Sequence, residues 1–228
     1  MSRPRSYIVI WTAGPVRPEN THQGELLACG PVKDVIESAS RPVPAWATIA
    51  GFADDDTARK WFDSVADQVD GTALLFPAHP EPVWWPPERE GDRPEWSGRL
   101  SPPEERLRTF VSVWADITSL EPFLDYAQHF KWTVEHHDGA SLGSGPMPAV
   151  LRGGPGPTAM ALMAWPTSEA AFAWYHSADY LPYRNNRHAS SNATVVSVAA
   201  LGLPDDIGRA GRFWPHNDAP RARPPGLT

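Results

Sequence analysis

The sequence holds a single cysteine, Cys29. One thiol excludes an internal disulfide framework and suits a reducing compartment, so a cytoplasmic protein is expected. Long hydrophobic runs are also missing. The apolar stretch in MSRPRSYIVIW is too short for a signal segment or a membrane span and reads as a strand. Positive charge is scarce: 20 Lys and Arg stand against 27 Asp and Glu, a net charge of −7. That balance argues against binding to nucleic acid or to an anionic membrane. Familiar chemical motifs are missing too. There is no GxSxG, no HExxH and no paired-cysteine motif. RGGPGP (152–157) lacks the GxGxxG spacing and leads into no helix, so it reads as a turn. Neither a flavin nor a nicotinamide site is expected, and no cofactor of any kind.

What the chain does have is proline and tryptophan, 26 and 11 residues respectively. With 41% hydrophobic residues in 228 it can bury a core as one or two domains. The prolines have no period. They crowd residues 77–106, which read as an extended linker whose Trp84, Trp85 and Trp96 pack along a surface. Residues 203–228 lack periodicity and read as a mobile tail.

Two segments on either side of the linker match. FADDDTARKWFDS (52–64) lies over WPTSEAAFAWYHS (165–177) without a gap, with Ala58 on Ala171, Trp61 on Trp174 and Ser64 on Ser177. YIVIWTA (7–13) lies over FVSVWAD (110–116), with Trp11 on Trp114. Each helical segment is flanked by strands, so a diverged internal duplication is inferred. Periodicity predicts, for the second half, a strand at 109–117, a helix at 119–138, strands at 147–152 and 158–165, a helix at 168–177, a short helix at 180–188 and a strand at 193–201. That βαββαβ order is ferredoxin-like. The first half keeps the strands, including LLACGPVKDVIE, and the second helix, but GPVRPENTHQ cannot make a long first helix. The expected fold is α+β. Residues 1–76 form a degenerate ferredoxin-like half, and 107–202 form a complete one.

The stretch WPTSEAAFAWYHSADYLPYRNNRHA carries a resemblance. Pro166, Ala173-Trp174-Tyr175, Ser177, Tyr180 and Arg187 resemble the signature of a NIPSNAP-related bacterial family of unknown function in the dimeric α+β barrel superfamily. The resemblance implies a pseudo-dimeric barrel of two sheets, here both from one chain. It does not imply one activity, because relatives include monooxygenases, isomerases, dehydrochlorinases and haem enzymes. The family usually has apolar residues before the final Arg, where this chain has Asn185 and Asn186.

Ligands of such domains usually lie between sheet and helices. Alternation puts Phe110, Ser112, Trp114 and Asp116 on one strand face, unusually polar, which is assigned to that cavity. Asp116 either serves the site or caps the following helix near Ser119. On helix 119–138, Leu120, Phe123, Leu124, Ala127, Phe130 and Val134 form the buried stripe, with His137 at its edge beside Tyr126. His129 and His136 fall on the solvated side, so the three histidines do not converge and no metal is expected. Trp174 and Tyr175 face inward with His176 at the margin. Tyr180, Tyr183, Arg184 and Arg187 share a stripe that either holds a carboxylate or phenolate or pairs with surface acids. The leading expectation is a cofactor-independent enzyme doing acid–base chemistry on an aromatic or polyketide-like, anionic or phenolic substrate. His137 or His176 would act as base or acid, Arg187 and Tyr180 would hold an oxyanion, and Trp114 and Trp174 would form walls. Arg187 is taken as an exposed pocket residue whose loss would spare the fold. The chemistry would be an isomerisation, elimination or cyclisation. A cofactor-free monooxygenase and a non-catalytic ligand- or partner-binding protein stand as alternatives. The chain would work as a pseudo-dimeric monomer or a homodimer.

Overall fold

A computed structural model describes residues 5–16, 24–39, 41–78 and 107–200. Nearly all of the expected linker, the expected tail and most of the segment in place of a first helix lie outside the described residues.

Strand β1 (Ser6–Thr12) is buried along its whole length because it runs through the middle of a sheet. β2 (Gly24–Pro31) and β3 (Asp34–Ser38) follow, then β4 (Trp46–Phe52). Helix α1 (Asp55–Val65) starts where the Asp54 carboxylate accepts from the Thr57 N–H at 2.7 Å, and buries Ala58, Trp61, Phe62 and Val65. β5 (Thr72–Pro77) closes this part. β6 (Thr109–Ile117) leads to α2 (Leu120–His136), with Pro122 tolerated in the first turn. β7 (Ala140–Pro146), β8 (Ala149–Arg152) and β9 (Ala159–Trp165) come next. Helix α3 (Ser168–Tyr175) is capped by Thr167, whose hydroxyl accepts from the Ala170 N–H at 3.1 Å. α4 (Leu181–Ser190) has Pro182 in its first turn, and β10 (Ser191–Ala199) ends the described chain.

The strands form two five-stranded antiparallel sheets, β2-β4-β1-β5-β8 and β3-β10-β6-β9-β7. Numbered within each half, β5, β1, β4, β2 and β10, β6, β9, β7 share the ferredoxin-like order 4-1-3-2. The fold is a pseudo-dimeric α+β barrel of two such units, and between β1 and β2 the described residues hold no helix. Each sheet takes its fifth strand from the other half. β3 crosses to pair with β10, and β8 crosses to pair with β5. The two crossings share a bulge: Val195 and Val196 face Glu37 and Val35, while Ala73 and Leu74 face Arg152 and Val150. Bridges from Ala28 to Ala200 and from Ala78 to Gly143 join the two sheets.

Three apolar clusters result. One fills the space between the sheets and includes Tyr7, Val9, Trp11, Phe110, Trp114, Leu162 and Val196. The others lie under the helices, around α1 and around α2 to α4. Trp11 and Trp114, matched in the sequence, stack face to face across the two sheets, 3.7 Å between centroids and 3° between planes. No helix among the described residues is long and apolar enough to cross a membrane.

Four expectations are corrected. LLACGPVKDVIE is not one strand but parts of two, in different sheets, because the chain turns at Val32 and Lys33 to cross over. The strand expected at 147–152 is the crossing arm β8. The second strand of that half is β7, whose ASLGSGP has no apolar alternation to announce it. Leu120 and Leu124 are 62% and 48% exposed, because the buried face of α2 is centred on Phe123, Tyr126, Phe130 and Val134. Phe110, Ser112, Trp114 and Asp116 do share a face, but Phe110 and Trp114 pack against the opposite sheet, while Val111, Val113 and Ala115 meet the helices.

Candidate functional site

The helix-covered face of the second sheet carries a buried polar cluster. α4 presents Arg187, which is 1% exposed. The crossing strand β3 brings Glu37 beneath it. Arg187 Nη1 donates to Glu37 Oε2 at 2.8 Å and Nη2 donates to Oε1, a bidentate pair. The Tyr175 hydroxyl donates to Glu37 Oε1 at 2.6 Å, and His188 Nε2 lies 3.1 Å from the same oxygen. Arg187 Nε points to the Tyr180 hydroxyl at 3.4 Å, and the Arg187 guanidinium lies 5.7 Å from the Tyr126 ring centroid. Tyr180 stacks on Trp174 at 4.1 Å, and the Trp174 indole donates to Thr133 at 2.9 Å.

The electrostatics follow from burial and the pair. Burial pushes the Glu37 carboxyl up, but Arg187, helped by His188, outweighs it and holds the group well below the usual carboxylate range. Burial pulls Arg187 down, yet Glu37 more than compensates, so it stays charged. Burial first, then the Glu37 charge, raises Tyr175; burial raises Tyr126 and Tyr180. All three phenols therefore keep their protons, and Tyr175 spends its proton on Glu37 while Tyr180 accepts from Arg187. A buried pair of this kind is weak evidence for stability, and titratable groups perturbed together often mark a site.

The expected site residues divide into separate groups. Tyr126, Trp174, Tyr175, Tyr180 and Arg187 meet in this cluster. Arg184 lies beside it, its guanidinium 4.8 Å from the Tyr175 ring centroid, with Nη1 donating to the Tyr175 carbonyl at 2.7 Å. His176 is exposed near Arg184; burial, then that cation, lowers its pKa. Tyr183 instead stacks on His129 at 4.8 Å, so His129 is packed rather than solvated, contrary to expectation. His137 ends α2 and sits 3.4 Å from Asp179. Asp116 accepts from Arg41 at 2.9 Å, and Ser112 accepts from the Trp114 indole at 3.0 Å.

The three expected catalytic residues do not converge. Ala140, just after His137, lies level with Phe110 through Ala164. Asp116 is six residues farther along β6, roughly 20 Å at strand rise. The Trp114 face also lies on the opposite side of the sheet from Arg187. Arg187 is not an exposed pocket residue. The carboxylate predicted for its stripe is the protein's own Glu37. Sequence reasoning missed Glu37 and His188. Nothing local distinguishes Glu37, but His188 follows the matched Arg directly.

Comparison with known proteins agrees on where the recognisable part lies. Residues 109–201 match DUF1330, a domain of unknown function. The match spans α2 to α4 and Arg187 but leaves out β3, and with it Glu37. No curated protein matches. Among solved structures, an anthrone oxidase-like protein is similar at 9% identity and a TM-score of 0.48, covering 87% of this chain and 94% of its own. A presumed monooxygenase from Lactobacillus acidophilus NCFM is similar at 9% identity and a TM-score of 0.42, with the same coverage.

Proposed function

We propose that the chain is a cofactor-independent small-molecule enzyme of the α+β barrel type whose base is His188. The observation that carries this reading is the carboxylate–imidazole pair. Glu37, held ionised by Arg187, faces Nε2 of a ring whose side chain is 45% exposed. With Nε2 donating to Glu37, Nδ1 is left as the acceptor nitrogen of the ring, the geometry of an oriented general base. Arg184 lies one helical turn before His188 on the same face of α4. It supplies a cation where negative charge would develop.

The chemistry supported is proton abstraction beside a carbonyl of an aromatic or polyketide-like substrate. The C–H bond breaks, its electrons move to the carbonyl oxygen near Arg184, and Nδ1 takes the proton. Return of the proton to another atom, loss of a leaving group, or attack on a second carbonyl gives isomerisation, elimination or cyclisation. Deuterium uptake tests this step. Aromatic ketones and β-ketothioesters in D2O are expected to exchange their α-protons faster with the protein than in buffer. His188→Gln removes the gain and Arg59→Ala keeps it. Equal rates for wild type and His188→Gln across the panel would sink the reading. A non-catalytic role is favoured by one observation: Glu37 already fills the place between Arg187 and Tyr175 that a carboxylate ligand would take. Equal exchange rates would select it.

A further inference from the structure

We propose that Lys33, at the turn between β2 and β3, is an acyl-acceptor site whose Nζ amine takes activated acyl groups such as thioesters and acyl phosphates. The site does not depend on the activity proposed for His188.

The sequence holds three lysines, Lys33, Lys60 and Lys131, and the fold gives them three different settings. Lys60 is exposed on α1. Lys131 faces Glu135 one turn along α2, with 3.8 Å between Nζ and Oε1. Lys33 is half-buried and rests its Nζ on a hydroxyl, donating to Ser168 Oγ at 3.1 Å. Ser168 is the first residue of α3 and is buried, with its Oγ 3.2 Å from Thr109 Oγ1 on β6. The root of the Lys33 side chain is fixed as well. Its backbone N–H donates to the Ser197 carbonyl on β10 at 2.8 Å, where the chain leaves one sheet for the other.

Two acids act on this amine, Asp34 next in the chain and Glu169 in the first turn of α3. Asp34 is buried, and its Oδ2 accepts from Ser197 Oγ at 2.7 Å. Burial lowers the Lys33 pKa, and the two carboxylates offset only part of that effect. More of this amine is therefore neutral near neutral pH than of an ordinary lysine. A serine hydroxyl can accept from either protonation state, so the contact does not hold the charge in place. With one N–H spent on Ser168, the neutral amine keeps its lone pair for an electrophile. The lone pair attacks the acyl carbon and an N–C bond forms. The C–S bond of a thioester or the C–O bond of an acyl phosphate breaks, thiolate or phosphate leaves, and the nitrogen gives one proton to solvent. The product amide is uncharged, so acylation removes the cation that Asp34 and Glu169 face.

The test acetylates the full chain with p-nitrophenyl acetate at neutral pH and follows each lysine by peptide mass spectrometry. Lys33 is expected to react about threefold or more faster than Lys60, and its rate to level off at a lower pH. In denaturing urea the two rates should converge, because the preference belongs to the fold. Glu169→Gln removes one opposing charge from an exposed position, so it should speed Lys33 further and leave Lys60 unchanged. The proposal is overturned by a folded-state ratio below about threefold or by identical pH profiles. It is equally overturned by a preference that survives urea, or by a Glu169→Gln chain whose Lys33 reacts no faster than before.

Discussion

Glu37→Ala removes the carboxylate beneath Arg187 and leaves a guanidinium that is 1% exposed facing the Tyr180 hydroxyl at 3.4 Å, the His188 ring and the Tyr126 ring, with no anion among them. An unpartnered buried charge of this kind costs about 3–5 kcal/mol. A surface pair would cost about 0–1 kcal/mol. For a chain of this length each kcal/mol moves the melting temperature by roughly 2–4 °C, so a fall of roughly 6–20 °C is expected. Circular dichroism against temperature and urea measures it. Replacing both partners, Glu37→Met with Arg187→Met, removes both desolvation costs and should restore most of the loss. The pair also fixes a pH dependence. The folded-state pKa of Glu37 is depressed, so its stabilisation is complete above the ordinary glutamate value of about 4.3 and fades as pH falls below it. Wild type is expected to weaken from about pH 5 downward, and the double variant to weaken less. His188 lies in contact with Glu37, and Tyr126, Tyr175 and Tyr180 stay protonated throughout this range. A single-variant cost under about 1 kcal/mol, or a double variant as damaged as the two singles combined, would refute the reasoning.

Tyr175→Phe deletes the 2.6 Å bond to Glu37 and should cost about 1.5–3 kcal/mol in urea denaturation; a neutral result would mean the hydroxyl does not support the carboxylate. Gly139→Ala places a Cβ 2.4 Å from the Trp165 ring nitrogen and 2.8 Å from Val134 Cγ1, so a loss of about 1–3 kcal/mol is expected; an unchanged melting temperature would contradict the close approach. Arg59, exposed on α1, should tolerate alanine within about 0.5 kcal/mol by the same measurement. From the helix positions of His129, His136 and His137 no metal is expected, and elemental analysis of the purified protein for stoichiometric zinc or iron tests that expectation. Metal that disappears with His137→Ala would reverse that view of the histidines.

Much of the fold was legible because local signals agreed. The periodicities of β6, α2 and α3, the Asp54 and Thr167 caps, and the match of Trp11 with Trp114 all act within a few residues or repeat along the chain. The barrel order of strands followed from them. What local pattern could not carry was the crossing of β3 and β8 into the opposite sheets. A strand pairs through its backbone, and its sequence does not name its partner. That crossing decides the site. Tyr180, Tyr183, Arg184 and Arg187 were readable as a stripe for a carboxylate or phenolate or for surface acids, while Glu37 lies 150 residues from Arg187 and meets Arg187 and Tyr175 only after β3 has paired with β10. The same long-range pairing turned Trp114 toward the opposite sheet and set Asp116 against Arg41, far from His137. Alternation along a strand determines which residues share a face; which layer that face meets is settled only when the sheets and helices have packed.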